Sequence, residues 1–243
     1  LQKFGKEKME FDYEIQKSGP PQKVQAIEVS ILLSLILPSM IMSASLSKGN
    51  ITFSMVAWST VLSDIPLLAL VIYFVWHNGE PLYAIGIRLQ NWWKEAGIGV
   101  LIFIPIMYLI GAIQMLLKKA GLSVPHEAPS FLVPSGGGEF ILAIVFLIVV
   151  AVSEEVIFRG YLIRRFFVIT KNPGVALVLS SAIFALGHGY ERSGGMIGAG
   201  ILGFAFGAVY LWRKNLAAPV VMHFIQNFIG IILVPLIGEF HMS

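Results

Sequence analysis

Seven apolar runs separated by polar connections occupy most of the chain, at about 26–46, 52–76, 96–117, 140–159, 173–188, 194–212 and 216–237. A bilayer span takes about 20 apolar residues. Lipid admits only structures that satisfy every backbone N–H and C=O internally, and none of the runs shows the strict alternation of a barrel strand. The runs therefore predict an all-α, multi-pass transmembrane bundle of about seven spans. Composition agrees: 56% of the 243 residues are hydrophobic and 13% charged, against roughly 25% charged in an average soluble domain. A mean hydropathy of +0.79 implies more apolar surface than a soluble globule of this length can hide.

Lys and Arg divide 13 to 4 between the two sides of such a bundle. The excess of positive charge belongs in the cytoplasm, which puts the N-terminus inside and the C-terminus outside the cell membrane. The net charge of +3 and the pI near 9.1 reflect the same excess, and no nucleic-acid motif accompanies them. The first 23 residues are polar and do not read as a signal peptide. The absence of cysteine removes disulfides, thiolate metal sites and a cysteine nucleophile. Pro38, Pro66, Pro105 and Pro235 predict local kinks. The short fifth run predicts a helix partly buried among others. The 118–139 connection, with Pro125, Pro129, Pro134 and Gly136 to Gly138, reads as an irregular surface loop.

Ionisable groups inside a bilayer are expensive and need a partner or a purpose. The second half of the chain gathers Glu154, Glu155, Arg159, His188, His223 and Asn227. Glu155 and Arg159 are four apart with the acid first, so they share a helix face in the favourable order and can neutralise each other as a strut. Glu154 is rotated by about 100° on a regular helix and is free to meet groups on other helices. His223 and Asn227 share a face by the same spacing, as do Phe184 and His188. A single buried histidine reads most simply as an interhelical hydrogen-bonder. So many polar groups in one half of a chain this poor in charge point instead to a site. A carboxylate and one imidazole can draw a proton from water, while a second imidazole and an amide can stabilise an oxyanion.

The run Glu154-Glu155-Val156-Ile157-Phe158-Arg159-Gly160, then Phe184-Ala185-Leu186-Gly187-His188, then His223-Phe224-Ile225-Gln226-Asn227 resembles three signatures, EExxxR, FxxxH and HxxxN. They belong to the CAAX-protease and bacteriocin-processing (CPBP, or Abi) family of intramembrane proteases, and the form EExxFRG is closest to its prokaryotic members. The resemblance covers about residues 140 to 236. It implies an endopeptidase acting on a membrane-anchored or lipidated peptide, with Glu154 as catalytic glutamate and His188 as its partner. It further implies His223 and Asn227 as the oxyanion pair, with Glu155 and Arg159 in support. The expected organisation is a polar cytoplasmic segment over 1–23, N-terminal helices over 24–139 and a catalytic four-helix core over 140–243.

Other intramembrane proteases fail by inspection. The one His-Glu pair, His126-Glu127, is followed by Ser130 where HExxH needs its second histidine. Asp12 and Asp64 are the chain's two aspartates, with only Asp64 in a span, and no GxSG occurs. Glu154, His188 and His223 could supply three zinc ligands with a fourth position open to water. Without HExxH spacing, chemistry free of metal is favoured. Two further readings compete: a bacteriocin-immunity or peptide-binding protein of the same fold, and a proton-coupled transporter, for which no inverted repeat is evident. Asp64, beside Pro66, is read as lining a polar cavity or bonding to the catalytic half. Ala199, Gly203 and Gly207 are read as a close-packing face.

Overall fold

The computed structural model describes residues 19–43, 51–123 and 128–237. Lys48, the His126-Glu127 pair and the polar segment before Gly19 lie outside the described residues. The described chain is helical with no strand, and six of its helices are long and apolar enough to cross a membrane. Seven helices follow in order: α1 (Gln22–Ser43), α2 (Phe53–His77), α3 (Trp92–Lys119), α4 (Gly137–Thr170), α5 (Pro173–Leu186), α6 (Arg192–Arg213) and α7 (Ala217–Phe228). Helical winding continues beyond α7 through a π-turn at Ile229–Leu233. Pro38, Pro66 and Pro105 sit inside α1, α2 and α3. The helices turn large apolar residues outward, among them Leu35, Leu62, Tyr108 and Ile141. That surface suits hydrocarbon and not water, and the protein is an integral membrane protein.

The fifth helix is short, as its sequence implies. Fourteen residues give about 21 Å of helix, less than the bilayer core. Asn172 starts it by accepting hydrogen bonds from Gly174 N at 2.9 Å and Val175 N at 3.1 Å, with Pro173 preset at the first position. Helix α5 is held along α6, where Gly203 leaves room for a neighbour. A Cβ there would meet Phe184 Cδ1 at 3.0 Å and Arg159 Nη2 at 3.4 Å. The small face read from Ala199, Gly203 and Gly207 thus serves close packing.

The fourth helix is longer than its apolar run. It continues from Gly137 to Thr170, 34 residues, because Arg164 and Arg165 do not end it. Both are buried. Arg164 Nη2 lies 2.6 Å from Glu80 Oε1, and Arg165 Nη2 pairs with Glu80 Oε2. Arg165 also lies 3.4 Å from Glu28, which accepts a hydrogen bond from Tyr161 Oη at 2.8 Å and one from Asn78 Nδ2 at 2.7 Å. This cluster ties α1, the end of α2 and the end of α4 together. A second tie, Arg213 to Glu95 through two hydrogen bonds of 2.7 and 2.8 Å, joins α6 to α3. The described part of the 118–139 connection lies mostly on the surface, as expected, and is anchored at two points. Leu132 is buried in a cluster with Phe53 and Phe146, and Glu139 accepts from Ser54 Oγ at 2.6 Å.

Charge asymmetry predicts the orientation of this bundle. A reporter fused near Lys171 is expected to read as cytoplasmic and one after Ser243 as external. A cytoplasmic reading for both would show that the chain makes an even number of crossings.

Candidate active site

The middle of α4 is not an α-helix. Residues Gly137–Glu154 wind as α, Glu155–Leu162 as π, and Ile163–Thr170 as α again. A π-turn loosens the i→i−4 ladder and leaves carbonyls needing partners, a feature common at functional sites. Here the Phe158 carbonyl accepts both the Ile163 N–H and the Ser180 hydroxyl, the latter at 2.7 Å. The whole EExxxR segment falls on or beside this turn. Gly160 within it allows α4 to reach the short turn Leu82–Ile85. A Cβ would stand 2.5 Å from the Ile85 carbonyl oxygen, and backbone cannot step aside as a side-chain tip can. Gly160→Ala is therefore expected to cost about 1–3 kcal/mol as an overpacked contact, read as a lower melting temperature of the purified protein.

Glu155 and Arg159 pair at 2.9 Å, with side chains 0% and 1% exposed. The strut expected from their spacing is present. The guanidinium also lies over the Phe184 ring, 4.2 Å from its centroid, with the Phe206 ring at 5.7 Å. These aromatic faces hold the cation where water is excluded.

Glu155 is not confined to its pair with Arg159 but joins the polar cluster. Its Oε1 lies 2.8 Å from His223 Nδ1, while His223 Nε2 lies 3.6 Å from Glu154 Oε2. The imidazole reaches both consecutive glutamates because its two nitrogens face opposite edges of the ring. Glu154 has a different standing from its neighbour. Its side chain is 25% exposed, whereas that of Glu155 is wholly buried, and each glutamate keeps one buried oxygen, Oε2, without a hydrogen-bond partner.

His188 lies just past α5, and its Nδ1 is 3.1 Å from the Phe184 carbonyl. In the neutral ring this makes Nδ1–H the donor and leaves Nε2 as the acceptor. Among the described residues no hydrogen bond joins His188 to Glu154. The link is aromatic: the Phe184 ring is 4.7 Å from His188 and 6.0 Å from His223. Phe158 meets the same ring edge-on at 5.3 Å. Glu154 falls at the middle of the 34-residue α4, and Phe184 packs against Phe158 one turn beyond it. Asn227 is one turn along α7 from His223 and on the same face. No hydrogen bond links it to the others among the described residues.

Two contributors escaped the sequence reading. Phe206 on α6 flanks both Arg159 and His223, the latter at 5.8 Å. It belongs to no polar pattern, and nothing in the sequence marks it. Tyr190 stacks near His188 at 6.0 Å and meets Phe131 of the outer connection at 6.1 Å. Its place two residues after His188 was the available signal.

No three His, Asp or Glu side chains are gathered as a metal-binding group among the described residues. His223 is already committed to the two glutamates, so the alternative zinc set of Glu154, His188 and His223 is not assembled, and no step below is routed through a metal.

Residues 136–229 match the family described as Rce1-like, type II CAAX prenyl endopeptidase. Over this segment, somewhat under half of the chain, the protein is similar to the CPBP, or CAAX-protease, family. The matched stretch runs from the start of α4 nearly to the end of α7, and takes in every CPBP motif residue named above. Helices α1 to α3 lie outside it. No curated protein and no solved structure gives a match to the chain. This likeness supports, in general terms, an intramembrane protease of the CAAX type.

Proposed function

We propose that the protein hydrolyses a peptide bond of a membrane-anchored or lipidated peptide within the cell membrane, using water activated by Glu154 and His188 without a metal. The observation that carries this reading is the contrast between the two glutamates. Glu155 is wholly buried between Arg159 and His223, whereas a quarter of the Glu154 side chain is exposed. A general base must be open to the water it deprotonates.

In this mechanism Glu154 takes a proton from a water that His188 Nε2 helps to orient. The water oxygen attacks the scissile carbonyl carbon and the C=O pair moves onto oxygen. His223 Nε2–H, when that nitrogen is protonated, and the Asn227 amide donate to the oxyanion. Glu155 and Arg159 hold the His223 ring in place, as a buried acid orients the histidine of a triad. Collapse of the intermediate breaks the C–N bond, and the proton held by Glu154 passes to the leaving amine. The products are a carboxylate and an amine, one of them still attached to the membrane anchor.

The test is incubation of purified protein in detergent or liposomes with labelled, membrane-anchored peptides, lipidated and unlipidated, and mapping of products by mass spectrometry. Two fragments whose masses sum to peptide plus water are expected, unaffected by a strong zinc chelator. Binding without cleavage, with protection from a peptide toxin intact in Glu154→Gln, would favour the immunity reading. Activity lost on chelation and restored by zinc would overturn the metal-free step.

A further inference from the structure

Asp64 is the one acidic residue on α2, and the mechanism above leaves it unused. The α2 seam that packs on α4 reads Phe53, Ala57, Val61, Asp64, Val71 and Val75, all buried and apolar except Asp64. Two ring pairs fix the register of the helices: Phe53 with Phe146 at 6.1 Å, and Phe74 with Tyr161 at 6.2 Å. Both helices run in the same direction, and the residue offset between the paired rings drifts only from 93 to 87. Asp64 stands midway between Phe53 and Phe74, which brings it level with Glu154. The buried oxygens Asp64 Oδ2 and Glu154 Oε2 both lack a hydrogen-bond partner, and the two carboxyls lie within Coulombic reach of each other. Arg159, the cation that acts on Glu154, is already paired with Glu155.

An unpartnered carboxyl in an apolar, lipid-spanning seam destabilises the fold, and its presence calls for a purpose. A packing role does not supply one, since leucine would serve better between Val61 and Val71. Two carboxyls brought level on packed helices, each with a buried oxygen that lacks a partner, can hold one water between them. We propose that Asp64 is a positioning residue for the hydrolytic water, its carboxyl O–H donating a hydrogen bond into the space where Glu154 accepts one. The water then meets a donor from α2 and a base from α4, which fixes its orientation before substrate arrives. This inference rests on the reading of Glu154 as the general base.

The experiment compares Asp64→Leu and Asp64→Asn, with Asp64→Leu also made in the Glu154→Gln background. Peptide hydrolysis and thermal melting are measured on the same purified protein. Asp64→Leu is expected to lower kcat by about 10–10²-fold, the scale of a misplaced reactant, with KM little changed and the melting temperature raised. Asp64→Asn keeps an N–H donor of the same shape and is expected to retain most of the turnover. In the Glu154→Gln background the leucine substitution is expected to add no further loss, because the two residues act as a unit. Wild-type kcat in Asp64→Leu overturns the proposal, as does a melting temperature that falls in both Asp64 variants with asparagine no better than leucine. A wild-type protein that cleaves no peptide overturns the hydrolytic reading and this one together. A cleaving wild type with an equally active Asp64→Leu overturns the role of Asp64 alone.

Discussion

Glu154→Gln is expected to lower kcat for peptide hydrolysis by about 10²–10⁴-fold, the usual loss on removing a general base, while leaving the melting temperature near that of wild type. Glutamine has the same shape and cannot accept the proton from water. The substitution disturbs little packing, because Glu154 has only the 3.6 Å approach to His223 Nε2 and is one-quarter exposed. His188→Ala is expected to fall in the same range, and the double variant to be scarcely worse than either single one, since a base and its partner fail together. Steady-state kinetics on a labelled peptide, with circular dichroism melts on the same preparations, reads both quantities. Near wild-type turnover in Glu154→Gln would remove it as the base and leave a peptide-binding or immunity function in front.

Arg159→Ala is expected to do the reverse, reducing folded protein first and activity as a consequence. Removing one partner of a buried ion pair leaves the other charge uncompensated, which costs about 3–5 kcal/mol. Here Glu155 would keep its His223 contact and lose the cation 2.9 Å away. The Phe184 and Phe206 faces would lose the guanidinium between them. Arg159→Lys retains charge without the planar fork and is expected to recover part of the yield. The measurement is monodisperse protein recovered per gram of membrane, together with the melting temperature. Equal recovery for Arg159→Ala and Glu154→Gln would show that the pair does not support the fold.

The two experiments separate roles that lie one residue apart. Glu154 and Glu155 are chemically identical, adjacent and in contact with the same imidazole. They differ in their surroundings: Glu155 is wholly buried against a ring-flanked guanidinium, and the Glu154 side chain is one-quarter exposed. That difference suits Glu155 to holding the His223 ring and leaves Glu154 the one to be tested as the base.

The bundle, its helices and its motif residues were legible from local pattern. A 20-residue apolar run can do little but span lipid as a helix, and four-residue spacing puts Glu155 with Arg159 whatever surrounds them. Proline after asparagine starts α5, and the small residues of α6 mark close contact. These are properties of neighbouring residues, and the amino-acid order alone determines them. The tertiary structure decided the rest, where partners lie far apart in the chain. Arg164 and Arg165 read as loop charges and end the fourth span early. Only Glu80, 84 residues upstream, makes them part of a buried helix. Helical rotation alone separates Glu154 from Glu155, but a π-turn and an imidazole from α7 bring both to one ring. Asp64 is an isolated acid in the sequence, and it becomes a neighbour of Glu154 only through the register of two packed helices. Spacing along a helix is dictated by backbone geometry, whereas contacts between helices depend on which side chains fill the seam, and no periodic pattern records that.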